Sequence, residues 1–99
     1  MRILFERTGG LAGRKLEGSL DSSTLSISQA RRLKALLKQS GFFELPPTLE
    51  PTQASADHFN YRVTVETEEG KHTVEASETA VPGSMRPLLE FLTRSLVVK

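Results

Sequence analysis

The chain contains few residues that could carry out catalysis. It has no cysteine and only two histidines, His58 and His72, and it contains no HExxH motif. Because zinc sites are built from several such ligands at characteristic spacing, we expect no metal site. The chain also lacks the G-x-S-x-G motif of a serine hydrolase and the lysine and serine of a phosphate-binding loop. The sequence therefore favours a protein that is not an enzyme and needs no cofactor.

Paired carboxylates are the remaining candidates for chemistry. The strand pattern described below predicts that Glu6 and Glu17, and likewise Glu66 and Glu75, lie opposite each other across neighbouring strands. General acid–base catalysis requires a cleft and a perturbed pKa, and the sequence indicates neither. We interpret these residues as part of a solvated sheet face.

The most unusual segment is Gly9-Gly10-Leu11-Ala12-Gly13, which places one leucine among three glycines between two alternating runs. Glycine supplies the positive φ that tight connections between twisted strands need. Turning the chain does not require a leucine. Leu11 at a hairpin tip could enter the pocket of a partner, or it could fold back over the sheet edge and cap the core.

Composition indicates one domain over residues 1–99, with 37% hydrophobic and 25% charged residues. No run approaches the ~18 apolar residues of a membrane span, and Met1–Phe5 is too short for the apolar part of a signal peptide. We therefore expect a cytoplasmic protein with no membrane partner. The net charge of +1 argues neither for nor against a polyanionic partner. Four basic residues without stacking aromatics are interpreted as an outward helix face rather than a nucleic-acid site: Arg31, Arg32, Lys34 and Lys38.

The first half of the chain reads as a hairpin followed by a helix. Ile3 and Phe5 alternate with polar residues before the glycine segment, and Leu16 and Leu20 do so after it, which is the period of half-buried strands. Ser26 and Gln29 fit a capping box that begins a helix, and Gly41 suits the left-handed position after its end. The Phe42-Phe43 pair is predicted to lie in the core. We read residues 48–57 as an exposed connection.

The second half repeats this order of elements. Residues 59–66 and 73–77 alternate as two strands of a second hairpin. A final helix carries an apolar stripe at helical spacing, made of Met85, Leu88, Leu89, Leu92 and Leu96. The predicted fold is α+β, a four-stranded, mainly antiparallel sheet with two helices packed on one face, in the order ββαββα.

Four segments in this order resemble the emfourin family, which consists of bacterial protein inhibitors of thermolysin-like metalloproteases such as protealysin. They are Phe5–Gly13 (FERTGGLAG), Ser40–Pro46 (SGFFELP), Asp57–Glu66 (DHFNYRVTVE) and Val81–Leu89 (VPGSMRPLL). The opening segment is the most specific, and the resemblance covers nearly the whole chain.

The resemblance implies a partner and a site. Thermolysin-like proteases prefer a bulky apolar residue just after the cleaved bond, so Leu11 could fill that pocket as a substrate mimic. The implied contact residues are Gly9, Gly10, Leu11, Ala12 and Gly13, with Thr48, Leu49 and Glu50 as a second contact that carries another aliphatic tip. We expect a monomer when the protease is absent. The alternative function is a regulatory protein-interaction domain with no protease target.

Overall fold

A computed structural model describes residues 1–9, 15–49 and 59–97 of the chain. Its strands are β1 (Arg2–Gly9), β2 (Leu16–Asp21), β3 (Thr48–Leu49), β4 (Phe59–Thr67) and β5 (Gly70–Ser77). Its helices are α1 (Ile27–Ser40) and α2 (Arg86–Val97), and short 3-10 turns lie at Ser22–Thr24, Phe42–Glu44, Glu78–Ala80 and Gly83–Met85. Among the described residues, no helix has the length and apolar character that crossing a membrane requires.

The strands form one sheet in the order β2-β1-β4-β5-β3. The β1–β2 and β4–β5 pairs are antiparallel hairpins, as the sequence predicts. β1 and β4 are also antiparallel neighbours, and β3 adds a fifth strand parallel to β5. The prediction of four strands was therefore wrong. Thr48 and Leu49 belong to a strand rather than to a connection, although Thr48 is exposed as the sequence predicts.

The sequence does not predict β3, because the strand is only two residues long and follows two prolines. Proline has no backbone N–H, but its carbonyl oxygen can still accept a hydrogen bond. The backbone N–H of Glu75 donates to the Pro47 oxygen at 2.8 Å. A ring nitrogen of His72 lies 3.0 Å from the Leu45 oxygen and ties the same segment to β5. The proline pair thus fixes an extended chain beside the sheet edge.

Both helices cover one face of the sheet. The capping box at Ser26 and Gln29 is present, and Gly41 adopts φ 64°, which confirms both predicted boundaries of α1. The shared core takes side chains from the sheet (Ile3, Phe5, Val63, Val65, Val74, Ala76), from α1 (Leu33, Leu36, Leu37), and from α2 and the turn before it (Met85, Leu88, Leu89, Leu92). The Leu96 side chain lies outside the described residues.

Two predicted details of packing were wrong. Phe42 is fully buried, but the side chain of Phe43 is 52% exposed, so only one member of the pair belongs to the core. Glu6 and Glu17 do lie opposite each other, whereas Glu75 faces Arg62 and Glu66 faces Lys71. The turn at residues 68–69 sets this register, because Thr67 pairs with Gly70.

Candidate functional site

The strand ends next to residues 10–14 and 50–58 lie at one end of the sheet. Gly9 pairs with Phe59. Two positions further in, a continuous row crosses the five strands and consists of Leu16, Arg7, Tyr61, Ala76 and Leu49. We call this end, bounded by Gly9, Leu16, Leu49 and Phe59, the loop end of the sheet. Four inter-strand spacings give it a width of roughly 20 Å. The two segments that the sequence singles out are therefore anchored at the same end of the molecule.

Some of the predicted contact residues are among those that the structure describes, and the others lie outside them. Gly10, Leu11, Ala12, Gly13 and Glu50 lie outside the described residues. Gly9 ends β1 with φ 92°, a conformation that favours glycine. Thr48 is exposed opposite Glu75, at the edge of the sheet. Leu49 is partly buried and packs against the core, and it also lines a cavity beside Thr48. Its predicted contact with a protease stays a prediction.

Aromatic side chains support the loop end on the face that the helices cover. The Arg7 guanidinium carbon lies 4.4 Å above the centre of the Phe59 ring, a cation–π contact between β1 and β4. The rings of Phe5 and Tyr61 stack across the same two strands, with their centres 6.2 Å apart. The backbone N–H of Phe59 donates to a carboxylate oxygen of Glu78 at 3.0 Å. These contacts join the last residues of β1 to β4, and the start of β4 to the turn that follows β5.

Between this aromatic group and α2 lies a cavity of about 310 Å³, which we call the arginine recess. It is lined by Arg7, Tyr61, Arg86, Leu89, Glu90, Thr93 and Arg94. The lining thus contains three arginines and one glutamate. Burial, followed in importance by the charge of Glu78, raises the pKa of Tyr61, so its hydroxyl stays protonated near neutral pH and can donate a hydrogen bond.

The opposite face of the sheet carries charged residues that are already paired. The Nη2 and Nε atoms of Arg62 lie 2.6 and 2.7 Å from one oxygen of Glu75, and this bond raises the pKa of the guanidinium. The Lys15 ammonium lies 3.3 Å from Glu17 and 3.8 Å from Glu6. A cavity of about 340 Å³ lies beside these groups, next to Thr8, Thr48 and Asn60. These carboxylates are partly or fully exposed to solvent and lie beside basic groups, which does not suit general acid–base catalysis.

Within residues 1–9, 15–49 and 59–97, no three histidine, aspartate or glutamate side chains come together as a metal site. The sequence reasoning did not find the arginine recess. One signal was available, because Arg7 follows Ile3 and Phe5 at the alternate positions that face the helices. A second was the spacing of Arg86, Glu90 and Arg94, which places them on one side of a helix.

The family model Emfourin matches residues 5–93 of the chain. The chain belongs to the Emfourin family. The match includes β1 from Phe5 onward, the glycine segment and most of α2, and so covers the loop end and every residue of the arginine recess except Arg94. Emfourin is a family of protease inhibitors, which confirms the expectation that this member is not an enzyme.

A solved structure similar to this Emfourin family member is described as emfourin (M4in) from Serratia proteamaculans, an M4 family peptidase inhibitor. The two chains are 20% identical, the alignment covers 91% of this chain and 86% of that one, and the TM-score is 0.48. No protein of curated function matches the chain.

Proposed function

We propose that this chain inhibits thermolysin-like zinc metalloproteases by placing residues 9–13 in the substrate cleft. The observation that carries the proposal is the Emfourin match, which includes this segment. The strand register supports it, because β1 and β2 are antiparallel neighbours and Arg7 pairs with Leu16. Residues 10–14 therefore connect two adjacent strands, as a hairpin tip does.

The proposed mode of action is that of a competitive plug. Leu11 acts as the apolar residue that such proteases accept just after the cleaved bond. The chain resists cleavage because both ends of the tip are held in a sheet, so that the peptide bond is kept away from attack geometry. The Arg7–Phe59 contact and the Phe5–Tyr61 stack support this rigidity at the base of the tip.

One leucine does not account for tight binding. Burying its side chain contributes about 1.5–3 kcal/mol, whereas a nanomolar complex requires about 12 kcal/mol. A standard interface buries ~800 Å² on each partner, so neighbouring surface must contribute. Thr48 and Glu50 are proposed as part of that surface. Leu49 is proposed with them, through the part of its side chain that the core leaves uncovered.

The proposed function is tested by titrating the purified chain into a thermolysin-like metalloprotease and following peptide hydrolysis. We expect inhibition that rises to completion at about one chain per active enzyme, because a plug blocks the cleft. A serine protease and a zinc protease of unrelated fold serve as controls and are expected to keep their activity. Full activity of several thermolysin-like enzymes at saturating chain would contradict the proposal and favour the regulatory interaction domain.

A further inference from the structure

The arginine recess concentrates positive charge at one place on the surface. Arg7 comes from β1, while Arg86 and Arg94 come from α2, where a separation of eight residues places them on the same side of the helix. The hydroxyl groups of Tyr61 and Thr93 line the same cavity. Glu90 is the single acidic residue of this lining. The recess therefore offers more hydrogen-bond donors and positive charge than its own carboxylate can satisfy.

The recess differs from the other charged surface at the loop end. On the uncovered face of the sheet, Arg62 and Lys15 each contact a carboxylate within the chain. In the part of the chain that the structure describes, the three recess arginines form no ion pair within 4.0 Å. Arg86 makes only a long hydrogen bond of 3.5 Å to the Glu78 carbonyl oxygen. The two faces of the sheet flank the same strand ends. Among the described residues, however, only the basic groups on the uncovered face are paired with carboxylates.

Arg7 is also held in place before any ligand arrives. Its position in β1 follows Ile3 and Phe5 on the face that the helices cover, and the Phe59 ring lies under its guanidinium. A side chain ordered in advance loses less conformational entropy when it binds. A planar guanidinium suits bidentate binding of a carboxylate. The geometry is that of a prepared site for acidic side chains.

We propose that the arginine recess is a second contact surface for the target protease and receives aspartate or glutamate side chains from the rim of its substrate cleft. This inference rests on the proposed function. Arg7 lies two residues before Gly9, so a protease that accepts residues 9–13 reaches the recess at the same time. Charge of one sign at the edge of an interface increases the association rate more than it slows dissociation.

The test compares two double variants of equal net charge. Arg86→Gln with Arg94→Gln removes two charges from the recess, and Arg31→Gln with Lys34→Gln removes two from the exposed face of α1. We expect the recess variant to associate with the protease about tenfold more slowly at 20 mM salt, and about as fast as wild type at 300 mM. The control variant is expected to stay within about twofold of wild type. Thermal unfolding of both variants checks that the fold is intact.

The outcomes separate the two proposals. Equal association rates for the recess variant, the control variant and wild type, with inhibition preserved, would overturn the proposed role of the recess. The proposed inhibitor function would then still stand. A wild-type chain that inhibits no thermolysin-like enzyme would overturn both. Slower association confined to the recess variant, and abolished by salt, would support the recess as a carboxylate-binding contact.

Discussion

Replacing Leu11 with aspartate is expected to raise the inhibition constant by more than about 100-fold. Losing the burial of one leucine accounts for about 1.5–3 kcal/mol, which is roughly 10- to 150-fold in affinity. A carboxylate forced into an apolar pocket adds a desolvation penalty to that loss. The inhibition constant is measured by titrating wild type and variant against the same protease preparation.

Ile27→Asp is the matched control, because it makes the same kind of change at a side chain that is 74% exposed on α1, away from the loop end. Aspartate in the first turn of a helix is well tolerated. We expect the control to inhibit as wild type does. An inhibition constant for Leu11→Asp within error of the control would remove Leu11 from the mechanism.

Phe42→Ala is expected to lower the free energy of unfolding by about 3–5 kcal/mol, because the ring is fully buried and its removal leaves a cavity. Its edge-to-face contacts with Phe43 and His72, with ring centres 5.5 and 5.4 Å apart, are lost as well. Domains of this size are stabilised by about 5–15 kcal/mol in total, so the change threatens the fold. Urea denaturation followed by far-ultraviolet circular dichroism measures the loss.

The neighbouring Phe43→Ala is the control, since it removes the same side chain from a half-exposed position. We expect it to lower the unfolding free energy by about 1 kcal/mol or less. Equal losses from the two variants would show that Phe43 is as deeply packed as Phe42, contrary to the structure described here.

Local signals predict those strands and helices whose boundaries are determined by residues close together in the sequence. The alternation around Ile3 and Phe5 predicts β1, and the capping box at Ser26 and left-handed Gly41 bound α1 correctly. These features need no knowledge of the rest of the chain. They also place the glycine segment between two strands, which is the basis of the proposed site.

Local signals do not predict features that depend on contacts between residues far apart in the sequence. Thr48 and Leu49 form a strand only because Pro47 meets β5, and two residues cannot show a period. Phe42 and Phe43 are identical in type, so the sequence cannot say which one turns inward. The partner of Glu75 follows from the register that the turn at residues 68–69 sets across the sheet.

The arginine recess shows the same limit at the candidate site. Arg7 and Arg94 are separated by almost the whole chain, and only the packing of α2 against the sheet brings them to one cavity. Arg7 does interrupt an apolar alternation, which marks it as unusual. No local pattern identifies its neighbours.

Binding of the chain to a protease whose pocket is already filled tests whether Leu11 enters that pocket. The pocket is the one that follows the cleaved bond, and the probe is a small zinc-binding peptide analogue whose apolar side chain occupies it. We predict mutual exclusion, so that the apparent Kd of the chain rises in proportion to the concentration of the analogue. An unchanged Kd, with chain and analogue bound together in one complex, would contradict the account.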